Sequence, residues 1–254
     1  MGARIMSAVL VSLLPAIVLA ATPARQPISV RVGDGTLDGS FLQPYNNAWF
    51  YSVRVAGGPQ VPQGIWSDHM QWTTVDGRQA MLRVQGTTYV KGLSTVILNV
   101  FDPRTLAPIR SETHNIDGSV LRRTFAGTHV TTETLANARD SAAPRATDLP
   151  GAVYDFNGGM FGILMAALPF EEGLKGTLPA IADDEARPTA EPFEVLRQEE
   201  VDAGARGKVK AWVVDSARPG KYTMRFWVTK SAPYVIRLVM TDVEHDRVLT
   251  WDML

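Results

Sequence analysis

Histidines and neighbouring carboxylates are the residues of this chain that could do acid–base or metal chemistry. The chain contains four histidines, His69, His114, His129 and His245, and they form no His-x-x-x-His or His-Glu-x-x-His pattern of the kind that holds a metal. Only Glu244-His245-Asp246 gathers potential ligands in a row, and a polar hairpin tip is the favoured interpretation of that segment. We therefore expect no metal site and no cofactor.

Nucleophilic catalysis has no recognisable sequence context either. No Gly-x-Ser-x-Gly segment is present, although the members of a Ser–His–Asp triad meet only in space. The acidic runs Glu171-Glu172 and Asp183-Asp184-Glu185 stand beside Pro or Gly, which is typical of solvated loops. Gly33-x-Gly35 opens no helix, unlike a dinucleotide-binding loop. The sequence thus predicts a protein without enzymatic activity, with an envelope hydrolase as the least favoured alternative.

The N-terminus has the layout of a secretory signal peptide. Arg4 gives a positive start, an apolar run extends from Ile5 to Leu19, and Val18-Leu19-Ala20 offers small or medium residues for cleavage after Ala20. We expect residues 1–20 to be removed and the mature chain to reach a bacterial periplasm. An uncleaved membrane anchor is the alternative, but the run is shorter than the ~20 residues that a bilayer span prefers.

Composition narrows the function classes further. The chain has 254 residues, 25 basic and 26 acidic side chains and no cysteine. Because the charges balance, no basic surface is available for nucleic acid, which we exclude as a partner. The absence of cysteine excludes thiol chemistry and Cys-based zinc sites, and it favours a periplasm over secretion from an animal cell.

Strand signals indicate one β domain over residues 44–254, behind an extended arm over residues 21–43. Two Asp-Gly pairs, Asp76-Gly77 and Asp117-Gly118, stand between alternating segments and predict β-hairpins with type I′ turns. The arm carries one short predicted strand, Ile28 to Val32. The domain can also be described as two β-meander halves, 44–136 and 173–254, joined by a helix.

The hydrophobic period changes to that of a helix between Val153 and Leu168, and Pro169 ends the segment. One side is small, with Gly158, Gly162 and Ala166 at intervals of four residues. The other side is bulky and is the candidate lining of an apolar cavity. The candidate ligand-binding residues are Met160, Phe161, Leu164, Met165 and Leu168.

Motifs from Val100 to the C-terminus carry a family resemblance. They are Phe101-Asp-Pro-Arg-Thr-Leu-Ala-Pro-Ile-Arg110, Asp117-Gly118, Val153-Tyr-Asp-Phe156, Leu168-Pro-Phe170, Phe226-Trp-Val-Thr-Lys230, Ala232-Pro233 and Ile236-Arg-Leu238. The chain resembles an uncharacterised family of bacterial periplasmic domains that is similar to the LolA/LolB lipoprotein carriers. The resemblance implies a curved antiparallel sheet that forms an incomplete barrel, with a helix over its concave face and acyl chains between the two.

These observations predict a mainly β fold, an open or incomplete barrel with one central apolar helix at about 153–168. The predicted function is non-enzymatic binding or carriage of an apolar ligand, such as a lipid or a lipoprotein acyl chain, in the periplasm. The first alternative is a structural or adaptor protein that joins an envelope protein partner and whose cavity is filled by its own helix. An empty apolar cavity under the helix would favour the binder.

Overall fold

The computed structural model describes residues 26–92, 94–136, 140–141, 143–157, 159–182 and 187–254. Within these ranges the chain forms one large sheet and one α-helix, α1 (Met160–Ala167), so the prediction of a mainly β, open architecture with one helix is confirmed. The strands are β1 (Ile28–Ser29), β2 (Tyr45–Val55), β3 (Val61–Val75), β4 (Arg78–Tyr89), β5 (Ser94–Phe101), β6 (Pro108–His114), β7 (Val120–Ala126), β8 (His129–Ala136), β9 (Asp140–Ser141), β10 (Arg145–Asp148), β11 (Tyr154–Asp155), β12 (Lys175–Ile181), β13 (Thr189–Asp202), β14 (Lys208–Arg218), β15 (Tyr222–Val228), β16 (Val235–Asp242) and β17 (Arg247–Met253).

The export prediction falls on residues 1–20, which lie outside the described part of the chain. Among the residues that are described, no helix has the length and apolar character needed to cross a bilayer.

Both Asp-Gly hairpins are present, but their turns differ. Between β3 and β4, Asp76 and Gly77 take φ of 48° and 74°, which is the type I′ geometry predicted. Between β6 and β7 only Gly118 has a positive φ, 82°, and the Asn115 amide donates to the Ser119 carbonyl across a longer loop. The type I′ prediction is wrong there, because the extra loop residues let Asp117 avoid the left-handed region.

The sheet is antiparallel through its whole centre. From one side to the other its strands follow the order β12, β13, β14, β15, β16, β17, β2, β3, β4, β5, β6, β7, β8. The last strand pairs with β2, so the two predicted meander halves share one continuous sheet, and their division stays an interpretation. In the described ranges β1 and β11 add to β12 in parallel, and β9 and β10 add to β8.

A small apolar cluster brings the two ends of this open sheet together. Phe125 and Val130 come from β7 and β8, Ile181 ends β12 at the opposite side, and Leu149 and Val153 come from the connection between them. Side-chain packing in this cluster thus links the ends. The result is a strongly curved sheet that is not closed into a barrel.

The helix is shorter than predicted. Residues Tyr154 and Asp155 form β11, paired in parallel with β12, so the helix begins at Met160 and not at Val153. All eight helical residues are buried. Its small side packs against the sheet, because a Cβ at Gly162 would lie 2.6 Å from a methyl group of Val235.

The N-terminal arm belongs to the main core over its described residues, 26–43. Val30, Leu37 and Leu42 are buried in the same cluster as the helix. The Asp38 amide donates to the Ala167 carbonyl at the end of α1. The predicted strand of this arm is reduced to Ile28–Ser29. The arm therefore covers one end of the helix.

Candidate functional site

A cavity of about 430 Å³ lies between the start of α1 and the inner face of six adjacent strands. Its wall strands are β15, β16, β17, β2, β3 and β4, which are neighbours in the sheet although they come from both ends of the chain. The apolar lining residues are Trp49, Trp66, Phe156, Phe161, Met224, Phe226, Val235, Leu238, Met240 and Trp251.

Strand register explains why these side chains converge. Trp49 lies directly opposite Trp66, and Leu238 lies directly opposite Trp251, so each pair shares one face of the sheet. The Trp49 indole N–H also donates to the Val235 carbonyl at 3.2 Å. This bond holds its ring against the strand that supports the helix.

The aromatic walls contact one another in two groups. The rings of Trp66 and Trp251 meet edge to face with centroids 5.8 Å apart. On the helix side, Phe161 stacks on Phe156 at 4.1 Å and meets Phe226 edge to face at 5.1 Å. Such aromatic pairs hold a definite geometry. The cavity therefore has rigid apolar walls on both sides.

A buried ion pair stands at the inner end of the cavity. Arg83 is only 1% exposed, and its Nε and Nη2 donate to Asp68 at 2.9 and 2.7 Å. The Tyr45 hydroxyl donates to the same carboxylate at 2.5 Å, and burial is the main reason that the pKa of Tyr45 is raised well above its usual value. Burial alone would lower the pKa of Arg83, but the charge and hydrogen bonds of Asp68, together with those of Tyr45, outweigh it and raise that pKa. Arg83 and Asp68 thus form a buried salt bridge whose opposite charges offset each other.

Two buried donors of the cavity wall have no hydrogen-bond partner within the described protein. They are Nη1 of Arg83 and the indole Nε1 of Trp66, and both residues line the cavity. The neighbouring Gln85, by contrast, accepts a hydrogen bond from the Gly159 amide at 2.7 Å, which fixes the start of the helix. Unpaired buried donors are uncommon in proteins and cost about 1 to 3 kcal/mol each.

The outer end of the cavity is polar and lies at two turns. The residues there are Arg218, Lys221 and Tyr222 around the β14–β15 turn, and Asp242, Glu244 and His245 around the β16–β17 turn. Burial raises the pKa of Asp242, but the hydrogen bonds from Arg247 and His245 and the charge of Arg247 together outweigh burial and lower the pKa to about 2. The cavity thus runs from a charged, exposed rim to a buried polar end, with aromatic walls between.

Only one of the five predicted ligand-binding residues lines this cavity. Phe161 does so, from the first turn of α1. The other four, Met160, Leu164, Met165 and Leu168, are buried in the main core and are not among the described residues that line the cavity. Leu168 lies beyond the end of the helix, where the Lys230 ammonium donates to its carbonyl at 2.9 Å.

Sequence reasoning missed most of the cavity wall. Trp49, Trp66 and Trp251 line the cavity, and nothing in their local sequence distinguishes them from ordinary core or sheet-edge tryptophans. Polar and apolar residues alternate around Arg83 in β4. This alternation predicts that Leu82 and Val84 point inward and that Arg83 points outward. The structure buries Arg83 instead and leaves both apolar neighbours half-buried.

The histidines are separated from one another, and each has a polar neighbour. The contacts are His69 with Asn46 and Gln71, His114 with Glu112, His129 with Asp148, and His245 with Asp242. Glu244-His245-Asp246 forms the β16–β17 turn, as the hairpin-tip interpretation predicted. Within the described residues, no group of three or more His, Cys, Asp or Glu side chains is placed to hold a metal ion.

Comparison with known proteins gives a family without a known activity. No curated protein and no solved structure shows significant similarity to the chain. None of these comparisons supports the resemblance to the LolA/LolB carriers. The sequence profile of a family described as "Protein of unknown function (DUF3108)" matches residues 51–244, about three quarters of the chain. The match includes the wall strands β3, β4, β15 and β16 and part of β2, and it ends before β17. The chain therefore belongs to this DUF3108 family.

Proposed function

We propose that this protein is a non-enzymatic binder of an apolar or amphipathic molecule, which it holds in the cavity beside the first turn of α1. The observation that carries the proposal is the aromatic-walled cavity of about 430 Å³. Sites for small organic molecules are mostly apolar clefts of about 300 to 1,000 Å³ with a few placed polar groups. This cavity has that size and that distribution of side chains.

The structural alternative predicts that the helix fills the concave face completely. The helix does fill most of it, since Leu164 and Met165 are 0% exposed. Beside Phe161 and Gly162, however, the space under the helix stays open. This remaining space favours a binder over a protein that only adapts envelope partners to one another.

The hydrolase alternative has one observation in its favour. His245 and Asp242 lie 3.0 Å apart at the rim of the cavity, as a base and its orienting group would. Asp242, however, is also hydrogen-bonded to Arg247, and no Ser, Thr or Cys stands among the described lining residues as a nucleophile beside the pair. The arrangement fits a polar rim better than a catalytic centre.

The sequence supplies the setting for this proposal. The signal-peptide layout up to Ala20 supports export to a bacterial periplasm. The resemblance to lipoprotein carriers supports an acyl chain, of a lipid or of a lipoprotein, as the ligand. We therefore propose that the protein acts in the envelope as a carrier or holder of such a molecule.

Titration with N-phenyl-1-naphthylamine, an uncharged fluorescent probe, tests the proposal. The wild type should bind it saturably with about one site per chain. Met224→Trp should fill part of the cavity and weaken binding at least about tenfold, because added volume displaces the probe. Val90→Trp is the matched control, since Val90 is 73% exposed and does not line the cavity. Absence of saturable binding by the wild type would refute the proposal.

A further inference from the structure

The two unpaired donors define what kind of ligand the cavity can take. Arg83 and Trp66 face the cavity from neighbouring strands, and both of their free N–H groups are buried. Trp66 lies opposite Thr87, four residues along β4 from Arg83. At about 3.3 Å per residue, their backbones are roughly 13 Å apart along the strand. An elongated ligand can therefore meet the two donors at two separate positions.

Both donors require an acceptor atom on the ligand. Neither an arginine N–H nor an indole N–H can accept a hydrogen bond. An alkyl chain alone would leave both donors unsatisfied in an even drier environment, at a cost for each. A ligand with oxygen atoms at these positions removes that cost.

The local charge balance selects neutral oxygen over a carboxylate. The positive charge of Arg83 is already met by Asp68 through two hydrogen bonds, at 2.9 and 2.7 Å. A ligand anion bound at Nη1 would thus add a negative charge beside a neutral pair in a buried position, where an unbalanced charge is strongly unfavourable. A carbonyl oxygen accepts the same hydrogen bond without that penalty.

We propose that the cavity is specific for a neutral acyl ester: the ester carbonyl accepts from one of the two donors, a hydroxyl oxygen of the alcohol part accepts from the other, and the alkyl chain lies between the aromatic walls. This inference rests on the proposed function and defines its ligand class. It separates acyl esters from free fatty acids and from simple hydrocarbons, both of which would also enter a plain apolar cavity.

A matched pair of ligands isolates the carbonyl group. 1-Dodecanoylglycerol and 1-O-dodecylglycerol differ only in the carbonyl oxygen, and each is measured by displacement of N-phenyl-1-naphthylamine. The wild type should bind the ester about tenfold more tightly than the ether, and dodecanoate more weakly than the ester. Trp66→Phe keeps the ring and removes the N–H, and Arg83→Lys keeps the charge opposite Asp68 and removes Nη1.

At least one of these two variants should reduce the ester-to-ether preference several-fold. Trp72→Phe is the control, because Trp72 is half-exposed and does not line the cavity; it should leave the preference unchanged. If Arg83→Lys fails to fold, Trp66→Phe alone decides. Three results would overturn the inference but leave the proposed apolar binding site in place. They are equal binding of ester and ether, tighter binding of dodecanoate than of the ester, and an ester preference that persists in every folded variant. A wild type that does not bind the probe at all overturns the proposed function, and the inference with it.

Discussion

Replacement of Phe161 by alanine separates a cavity wall from an ordinary core position. Phe161 is 4% exposed, stacks on Phe156 and meets Phe226 edge to face. Burial of this kind makes Phe→Ala cost about 3 to 5 kcal/mol. One side of the ring, however, borders the cavity and has fewer atoms to lose contact with. We therefore expect a loss near the lower end, about 3 kcal/mol.

Leu164 provides the matched control, one turn further along the same helix. It is 0% exposed and does not line the cavity, so Leu164→Ala should cost a similar 2 to 5 kcal/mol, about that of other buried leucines. Urea melts give the two losses of stability, and probe titration gives the two dissociation constants. Phe161→Ala should change probe affinity by about fivefold or more, because it enlarges and reshapes the cavity. Leu164→Ala should leave the affinity of its folded fraction unchanged.

Equal effects of the two substitutions on probe affinity would refute the reasoning. Phe161 would then be a plain core residue, and the cavity would not be the place where the probe binds.

Three further predictions concern charged groups of the core and rim. Asp68→Asn leaves the buried Arg83 without its counter-charge and should lower the free energy of unfolding by about 3 to 5 kcal/mol in urea melts; a loss under about 1 kcal/mol would contradict the buried pair. The pKa of Asp242 is lowered from 3.8 to about 2, so its stabilisation is present above about pH 4 and is lost as the pH falls towards 2. Asp242→Asn should accordingly lower the melting temperature at pH 7, with a difference from the wild type that narrows in acid; a constant difference would be inconsistent with this shift. Burial lowers the pKa of Lys230 from 10.5 to about 8, and between these values the unfolded chain binds more protons. Stability should therefore rise from about pH 8 to about pH 10, and Lys230→Met should abolish this rise. A rise that persists in the variant would show that Lys230 does not cause it.

The strands and hairpins were predictable because their signals are local. Asp76-Gly77 between alternating segments identified the β3–β4 hairpin, and the structure gives it the expected turn. The start of the helix was not predictable in this way. Val153 and Tyr154 continue an apolar pattern, but Tyr154 pairs with Ala180 of β12, a contact set by the tertiary fold. Long-range strand pairing therefore outweighed the local periodicity.

The cavity depends still more on tertiary structure. Trp49 and Trp251 stand at opposite ends of the chain, and they share the cavity wall only because β17 pairs with β2. The inward position of Arg83 also depends on tertiary structure. Its partner Asp68 comes from the neighbouring strand, and no pattern within β4 indicates that an arginine should lie inward between Leu82 and Val84.

The predicted helix face and the cavity share only Phe161, for a geometric reason. Helical spacing groups Phe161, Leu164, Met165 and Leu168 on one side, but it does not say how far an open space extends along that side. The cavity reaches only the first turn, and core side chains enclose the rest of the helix. The N-terminal arm contributes to this enclosure, with Leu37 and Leu42 buried in the same cluster.

Native mass spectrometry of the protein recovered from its own cells tests the central claim most directly. We expect a fraction of wild-type chains to carry one added mass, identified after extraction as a neutral acyl ester. Met224→Trp should lose this species, and Val90→Trp should keep it. A wild type found only at the mass of its polypeptide, which also fails to take up acyl esters added in vitro, would contradict the claim that this cavity is a binding site.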